Sequence, residues 1–387
     1  MSKLNIAIDA NEANVIHRVG SNVYAFEVIK QLANLIKADP NLKATVLLST
    51  PPLSDLPNQT QDWHYQIVKP AKFWTQLAAP LHLFNNKNKY DVFFTPGHYA
   101  PRLCAVPYVS SVMDLAYLHF PEQFRSSDLL QLKNWTAYSV EHAQKVITIS
   151  QFTKQETAYQ YSKPETDIVV AYPSASLPQN SASQSEIEHF FNYHGIENDY
   201  FLFIGTIQPR KNLVNLIKAF EIFCLEEQEQ DNPADLPQLV IAGKIGWLAE
   251  PILEIASQSG VKDKIVFTGF VSDAMKQPLY KRALTTVLIG LYEGFGIPPL
   301  ESMHVGTLPI VSHNSSLPEV VGEAGLQVNP YKPEIIAEAL REVWLMPAKE
   351  KAIYRKKMRQ QIQQFSWEKS GQIILDTLLQ VAKSDTK

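Results

Sequence analysis

Short apolar runs alternate with stretches of helical periodicity along most of the chain. Residues 4–8 are apolar and lead into a polar loop containing Gly20. From 22 to 36, Val23, Phe26, Ile29 and Ala33 then recur at the spacing of a helix with one buried stripe. This is a strand, loop and helix unit of the α/β type. Similar short runs follow at 44–48, 92–94, 106–109, 145–149 and 168–170. Their β-branched character and the helical stretches between several of them predict a largely parallel sheet covered on both faces.

Between 178 and 198 the chain turns polar, with only a short apolar cluster at 187–191, and a domain boundary is expected just after Asn198. A second series of runs begins at 201–204 and continues at 239–242, 265–267, 286–289, 309–311 and 326–328. Leu213, Leu216, Ile217 and Phe220 mark the buried stripe of a helix for which Asn212 is the expected cap. The expected architecture is α/β, with a first domain over 1–198 and a second over 199–365. Each is doubly wound, and the two face one another across a cleft at the carboxyl ends of their strands. The 387 residues exceed what a single core usually supports, which agrees with two domains.

The chain has 35 basic and 39 acidic residues, a net charge of −4, and no long basic block, so nucleic acid is a poor default partner. Cys104 and Cys224 both sit in apolar sequence and read as buried residues of a reducing compartment. The first residues carry one lysine and no long apolar stretch, which predicts neither a leader nor a membrane span and suggests a cytoplasmic setting.

The chemistry-bearing segments follow the predicted strands of the second half. In YEGFGIPPLE, Glu293 and Glu301 lie eight positions apart around a glycine-broken turn, and Pro298 and Pro299 open a helix. Carboxylates accept hydrogen bonds from vicinal hydroxyls, so the pair suits a sugar nucleotide. Gly294 and Gly296 flank Phe295 and permit close approach of backbone amides to a ligand, a function that competes with a purely structural turn. In GTIQPRKN, Arg210 and Lys211 stand at the start of a helix, where cations and free N–H groups suit a diphosphate. The alternative is a solvated basic turn.

Other segments are more ambiguous. In GKIGW, Lys244 can meet a phosphate or base, or can be a surface lysine beside a packed tryptophan. The stretch 312–319 is a turn that can also lie near a nucleotide. In the first domain, Gly20 precedes a helix and can open the amides of Ser21 and Asn22 to an oxygen ligand. Asp114 and His119 are candidate acceptor-side residues, or else a capping aspartate and a surface histidine. No HExxH, paired CxxC or compact aspartate cluster suggests a metal, and there is no P-loop. Lys69 and Lys72 stand near Phe73, Trp74, Leu77, Leu81 and Phe84. That mixture suits an anionic membrane surface, although Pro80 interrupts the candidate helix and the apolar positions can equally face the core.

Taken in order, GTIQPRKN, AGKIGW, FTGFVSD, YEGFGIPPLESMHVGTLPIVS and NSSLPEVVGEAG resemble the retaining glycosyltransferases of family 4, which have the GT-B fold. The resemblance runs through both halves and is strongest over 201–330. It implies that Arg210 and Lys211 bind the donor diphosphate, Glu293 the donor sugar and Glu301 the ribose. It also implicates Gly20 and the backbone of Phe295, Gly296 and Ile297 in donor contacts. The segment 366–381 resembles the family's C-terminal helical crossover, so 366–387 is expected to return to the first domain. The implied reaction is metal-free, retaining transfer of a hexose, with GDP-mannose favoured as donor, to a glycan or lipid-linked acceptor.

Two departures stand out. Met113 occupies a place where many relatives have histidine, and Ile289-Gly290 a place where they often have proline and serine. The first keeps open a non-catalytic nucleotide-sugar-binding or scaffold subunit. A sugar-phosphate-forming phosphorylase with the same two-domain arrangement is a further alternative.

Overall fold

The computed structural model describes residues 3–97, 99–175, 177, 181–197, 199–229 and 236–384. They form two compact units, one of Met1–Pro173 with Ser366–Lys387 and one of Ser174–Phe365. The first unit contains β1 (Leu4–Asp9), β2 (Leu42–Leu48), β3 (Trp63–Ile67), β4 (Val92–Thr95), β5 (Tyr108–Val112), β6 (Lys145–Thr148) and β7 (Ile168–Val170). Their spatial order is β3-β2-β1-β4-β5-β6-β7, and every neighbouring pair is parallel. Helices cover the faces, which is why most of these strands read as continuous apolar runs.

Two strands depart from the sequence pattern. β3 (WHYQI) is an edge strand with half-buried polar positions, so no apolar run announces it. β5 begins two residues later than expected because Pro107 has no N–H to donate, although its carbonyl still accepts from Phe93 N at 2.8 Å. It then runs on through the buried Ser110 and Ser111, and the Ser110 hydroxyl bonds to Ser139 O at 3.3 Å.

The second unit contains β8 (Tyr200–Ile204), β9 (Gln238–Ala242), β10 (Ile265–Gly269), β11 (Thr285–Leu288), β12 (Pro309–Ser312) and β13 (Leu326–Val328). The order is β10-β9-β8-β11-β12-β13, again parallel throughout. In both units the first strand has the second on one side and a later strand on the other. The order therefore reverses between β1 and β4, and again between β8 and β11. Loops leaving the carboxyl ends on either side of such a reversal diverge and open a crevice.

The expected boundary after Asn198, itself outside the described residues, is corrected to Pro173. The polar stretch before it is the wet face of an amphipathic helix, Gln184–Tyr193. Its Ile187 and Phe191 pack with Tyr200, Leu202 and Met275 of the second unit. A capping box of Ser183 and Glu186 starts that helix. At the other end, the helix Trp367–Ser384 belongs to the first unit. Gly371 lets it approach the helix Ser21–Ala38, where an added Cβ would stand 2.5 Å from Gln31 Cβ. The Trp367 and Tyr24 rings meet 5.8 Å apart, and the Ser370 hydroxyl donates to Tyr172 O. No helix among the described residues is long and apolar enough to cross a membrane.

Candidate functional site

The loops after β8 and β9 continue beyond the sheet edge as a backbone pair. Ile207 N donates to Lys244 O and Gly246 N to Ile207 O, both at 2.9 Å. The approach depends on glycine, since a Cβ on Gly243 (φ 151°) would lie 1.8 Å from Gly205 O. This pair carries a single 3-10 turn, Pro209–Lys211, that ends at Asn212 in the left-handed region. Asn212 does not cap the next helix with its side chain as expected. Its amide instead donates to Ile289 O at 3.2 Å and Pro330 O at 2.7 Å, tying the turn to the segments after β11 and β13.

That tie places Arg210 and Lys211, which follow β8, beside Glu293, which follows β11, at the reversal of strand order. Lys211 Nζ lies 2.6 Å from Glu293 Oε1, and Arg210 Nη1 lies 3.8 Å from Oε2. All three side chains are mostly buried; that of Glu293 is 8% exposed. Arg210 also donates to Tyr292 O at 2.8 Å, and Leu291 N donates to Arg210 O at 2.9 Å. Gly290 leaves the space that the carboxylate fills, because a Cβ there would meet Glu293 Oε1 at 2.8 Å.

Residues 312–316, within the stretch 312–319 read from sequence as a turn that can also lie near a nucleotide, brace this loop. The Ser312 hydroxyl donates to Gly290 O at 2.7 Å, Asn314 Nδ2 to Leu291 O at 2.9 Å, and the Ser316 hydroxyl to Glu293 O and Phe295 O at 2.8 Å each. Glu293 N donates to the Ser315 hydroxyl at 3.1 Å. The Phe295 side chain is buried edge-on against Phe365, so only its backbone is placed to serve a ligand. Gly296 (φ 104°) fits only as glycine, since a Cβ would press to 2.4 Å from Leu317 Cδ2. Ile297 then begins the helix Ile297–Val305. Pro298 and Pro299 follow it and lack N–H groups, so this helix start presents fewer free donors than most.

Glu301 is held by a different set of partners from Arg210, Lys211 and Glu293. It is buried, and it accepts from the Tyr280 hydroxyl at 2.7 Å through Oε2. Burial raises its pKa, against the opposing pull of Lys276 and the Tyr280 hydrogen bond. Lys244 is exposed, with its ammonium 4.8 Å from the centre of the Phe270 ring, and Trp247 is 48% exposed, not packed away.

In the first unit, Gly20 (φ 53°) precedes the helix Ser21–Ala38. Of the two amides it was expected to open, that of Asn22 already donates to Val19 O at 3.1 Å. Asp114 Oδ1 accepts from Ala116 N at 3.0 Å and starts a short helix, while His119 is exposed and bonded to Glu156. The structure gives these two residues no shared contact.

Three polar residues were given no role of their own by the sequence reading, although Gln208 and Asn314 lie in segments it singled out. Gln208 Oε1 and Asn314 Oδ1 are buried without a hydrogen-bond partner in the very segments that carry the cations and brace Glu293. Their signal was their place in GTIQPRKN and in the stretch 312–319. Asp9, at the end of β1, accepts from Trp74 Nε1 at 2.8 Å and from Asn11, and burial raises its pKa. Among the described residues, no three or more His, Cys, Asp or Glu side chains are grouped to hold a metal ion.

Comparison with known proteins follows the same lines. The profile described as glycosyl transferases group 1 matches residues 185–365. The O-antigen chain mannosyltransferase B of Escherichia coli is 28% identical over 280 residues, 72% of this chain and 71% of that protein. The serotype-specific mannosyltransferase WbdA of Escherichia coli is 29% identical over 255 residues, 63% of this chain but only 30% of that longer protein. Among solved structures, the HepE protein of Anabaena, crystallised with UDP and glucose, superposes with a TM-score of 0.71 at 16% identity, over 97% of this chain and all of that one. Residues 185–365 thus match the group 1 glycosyl transferases, in a chain that has the GT-B fold and is similar to mannosyltransferases.

Proposed function

We propose that this glycosyltransferase moves a mannosyl unit from GDP-mannose to a hydroxyl of a glycan or lipid-linked sugar, with retention at the anomeric carbon. The observation that carries the reading is the Lys211–Glu293 pair at the β8/β11 reversal, with Arg210 beside it. On donor binding the pair exchanges partners. Lys211 and Arg210 turn to the diphosphate, where charge gathers as the glycosidic bond breaks, and the carboxylate accepts from sugar hydroxyls. Glu301, whose second oxygen Oε1 makes no hydrogen bond to the described protein, takes the ribose. Lys244 and the backbone of Phe295, Gly296 and Ile297 complete the donor contacts. Gly20, Asp114 and His119 are assigned to the first unit's share of donor and acceptor binding. The acceptor attacks from the face that the diphosphate leaves, without a covalent enzyme intermediate.

The test is transfer by purified protein from GDP-mannose and from UDP-glucose, with the product anomer read by NMR. A glycosyl adduct trapped on Glu293 overturns the front-face step, and an inverted product overturns retention. Donor binding without any turnover supports the scaffold reading. The observation favouring that alternative is that Met113 is buried and has no proton to exchange.

The acceptor's setting is addressed by the first unit. The π-helical turn Trp74–Ala78 runs directly into the helix Ala79–Asn85, with Pro80 tolerated in its first turn, so the proline does not break the segment as expected. Trp74, Ala78 and Leu83 are buried, whereas Phe73, Leu77, Leu81 and Phe84 form an outward stripe, each 50% exposed or more. Lys72 and Lys87 lie over the Phe73 and Phe84 rings, at 5.2 and 5.6 Å. An apolar stripe bounded by cations suits an anionic bilayer surface, each lysine adding about 1 kcal/mol. A cytoplasmic protein working at the inner face of the membrane fits this reading. Co-sedimentation with phosphatidylglycerol vesicles but not phosphatidylcholine vesicles, lost in Phe73→Ser/Leu77→Ser, is expected. Equal recovery with both lipids or neither refutes it.

A further inference from the structure

The second unit has a pocket of about 500 Å³ at the opposite edge of its sheet from Lys211 and Glu293. Its wall includes Ala283 and Leu284, just before β11, and Thr307 and Leu308, just before β12, whereas the residues of the proposed donor site all follow strands. Lys351, Arg355 and Arg359 enter it from one face of the helix Ala348–Gln361 at four-residue spacing, and Lys281 faces them from the last turn of the helix Asp273–Arg282. Among the described residues, no aspartate or glutamate lines it.

What sets these cations apart is that four of them share one pocket. Lys276, Arg341 and Lys357 each hold a carboxylate, but among the described residues none of Lys281, Lys351, Arg355 or Arg359 has one within 4.0 Å or donates a side-chain hydrogen bond. Helix polarity explains Lys281, which complements a carboxyl-terminal dipole. It does not explain Lys351, which sits early in its helix where positive charge is disfavoured. Like charges at four-residue spacing also repel one another. Beneath them the floor is apolar, with Met303, Leu308 and Met358 buried.

We propose that this pocket is a second anion site, separate from the donor crevice, for a phosphorylated ligand carrying two or more negative charges and an apolar body. The phosphoryl oxygens take the fork-shaped donors of Arg355 and Arg359 with Lys281 and Lys351 at the rim, and the body rests on the methionine floor. The helix Ile297–Val305 spans about 13 Å between Gly296 and this wall, so occupancy bears on the helix that also carries Glu301.

Inorganic pyrophosphate is the probe, titrated calorimetrically into full-length protein. Two binding events are expected in the wild type. One is lost, or weakened at least tenfold, in Arg355→Gln/Arg359→Gln, and the other in Lys211→Met. If Lys211→Met removes nothing while Arg355→Gln/Arg359→Gln still does, the donor reading fails and this site stands. If the arginine variant, folded by circular dichroism, binds as the wild type does, the site is refuted. The ligand's source is read by repeating the comparison with phosphatidic acid vesicles. Weaker vesicle binding by the arginine variant, with Phe73→Ser/Leu77→Ser in both proteins to remove the first unit's proposed vesicle contact, identifies a lipid headgroup, and equal binding or none identifies a soluble phosphate ester.

Discussion

Replacing Lys211 by methionine removes one charge while keeping most of the side chain's volume, and the surroundings of that charge set the size of the effect. Lys211 Nζ is 2.6 Å from Glu293 Oε1, with side-chain exposures of 15% and 8%. Two unit charges about 4 Å apart at an effective dielectric near 20 attract by about 4 kcal/mol. Desolvation consumes part of that, leaving about 1.5–3 kcal/mol for a charge-assisted hydrogen bond. Abandoning a buried carboxylate outright costs about 3–5 kcal/mol. Here Arg210 remains 3.8 Å from the other oxygen, so a loss of about 1–3 kcal/mol in unfolding free energy is expected. The effect on transfer is larger. A preorganised donor at developing charge is worth about 10²–10³-fold in rate, and Lys211→Met is expected to lose that much under limiting donor. Glu293→Gln separates the roles, because it frees Lys211. GDP alone should bind as tightly as in the wild type or more tightly, while transfer falls. Urea denaturation, calorimetry with GDP and initial rates on the same preparations supply the three readouts. Folded Lys211→Met with undiminished transfer, or equal weakening of GDP by both variants, refutes the partner exchange.

Gly290→Ala forces a methyl group into the space of Glu293 Oε1 and should cut transfer about tenfold or more, for a stability cost of about 1–2 kcal/mol; unchanged initial rates would show that the carboxylate position is not critical. Gly243→Ala drives a Cβ to 1.8 Å from Gly205 O at φ 151°, and should lose about 3–5 kcal/mol by denaturant midpoint; a loss below about 1 kcal/mol contradicts the backbone contact. Glu301 has a raised folded-state pKa through burial, so between its ordinary 4.5 and that higher value the native state keeps a proton the unfolded chain has lost. Its contribution therefore falls as pH rises through the window just above 4.5, and Glu301→Gln should flatten that part of the stability curve and be no less stable at neutral pH. Identical slopes for both proteins would refute the burial argument.

The α/β character and nearly every strand are written locally in this chain. A parallel strand buried on both faces must be apolar at consecutive positions, and no distant residue is needed to recognise it. β3 escaped because an edge strand is released from that demand, and the domain boundary was misplaced because an amphipathic helix looks polar until its packing partner is known. The residue types of the proposed donor site were also local, with two cations after one strand and a carboxylate after another. Only the tertiary structure decided that Lys211 and Glu293, 82 positions apart, are partners. Their meeting depends on β11 lying beside β8, an order set by how the helices pack across the whole sheet. The same holds for Asn212, whose amide reaches carbonyls 77 and 118 positions away, and for the outward stripe of Phe73, Leu77, Leu81 and Phe84. Periodicity shows that a helix has an apolar side, but which apolar residues find the core depends on what the rest of the chain places against them.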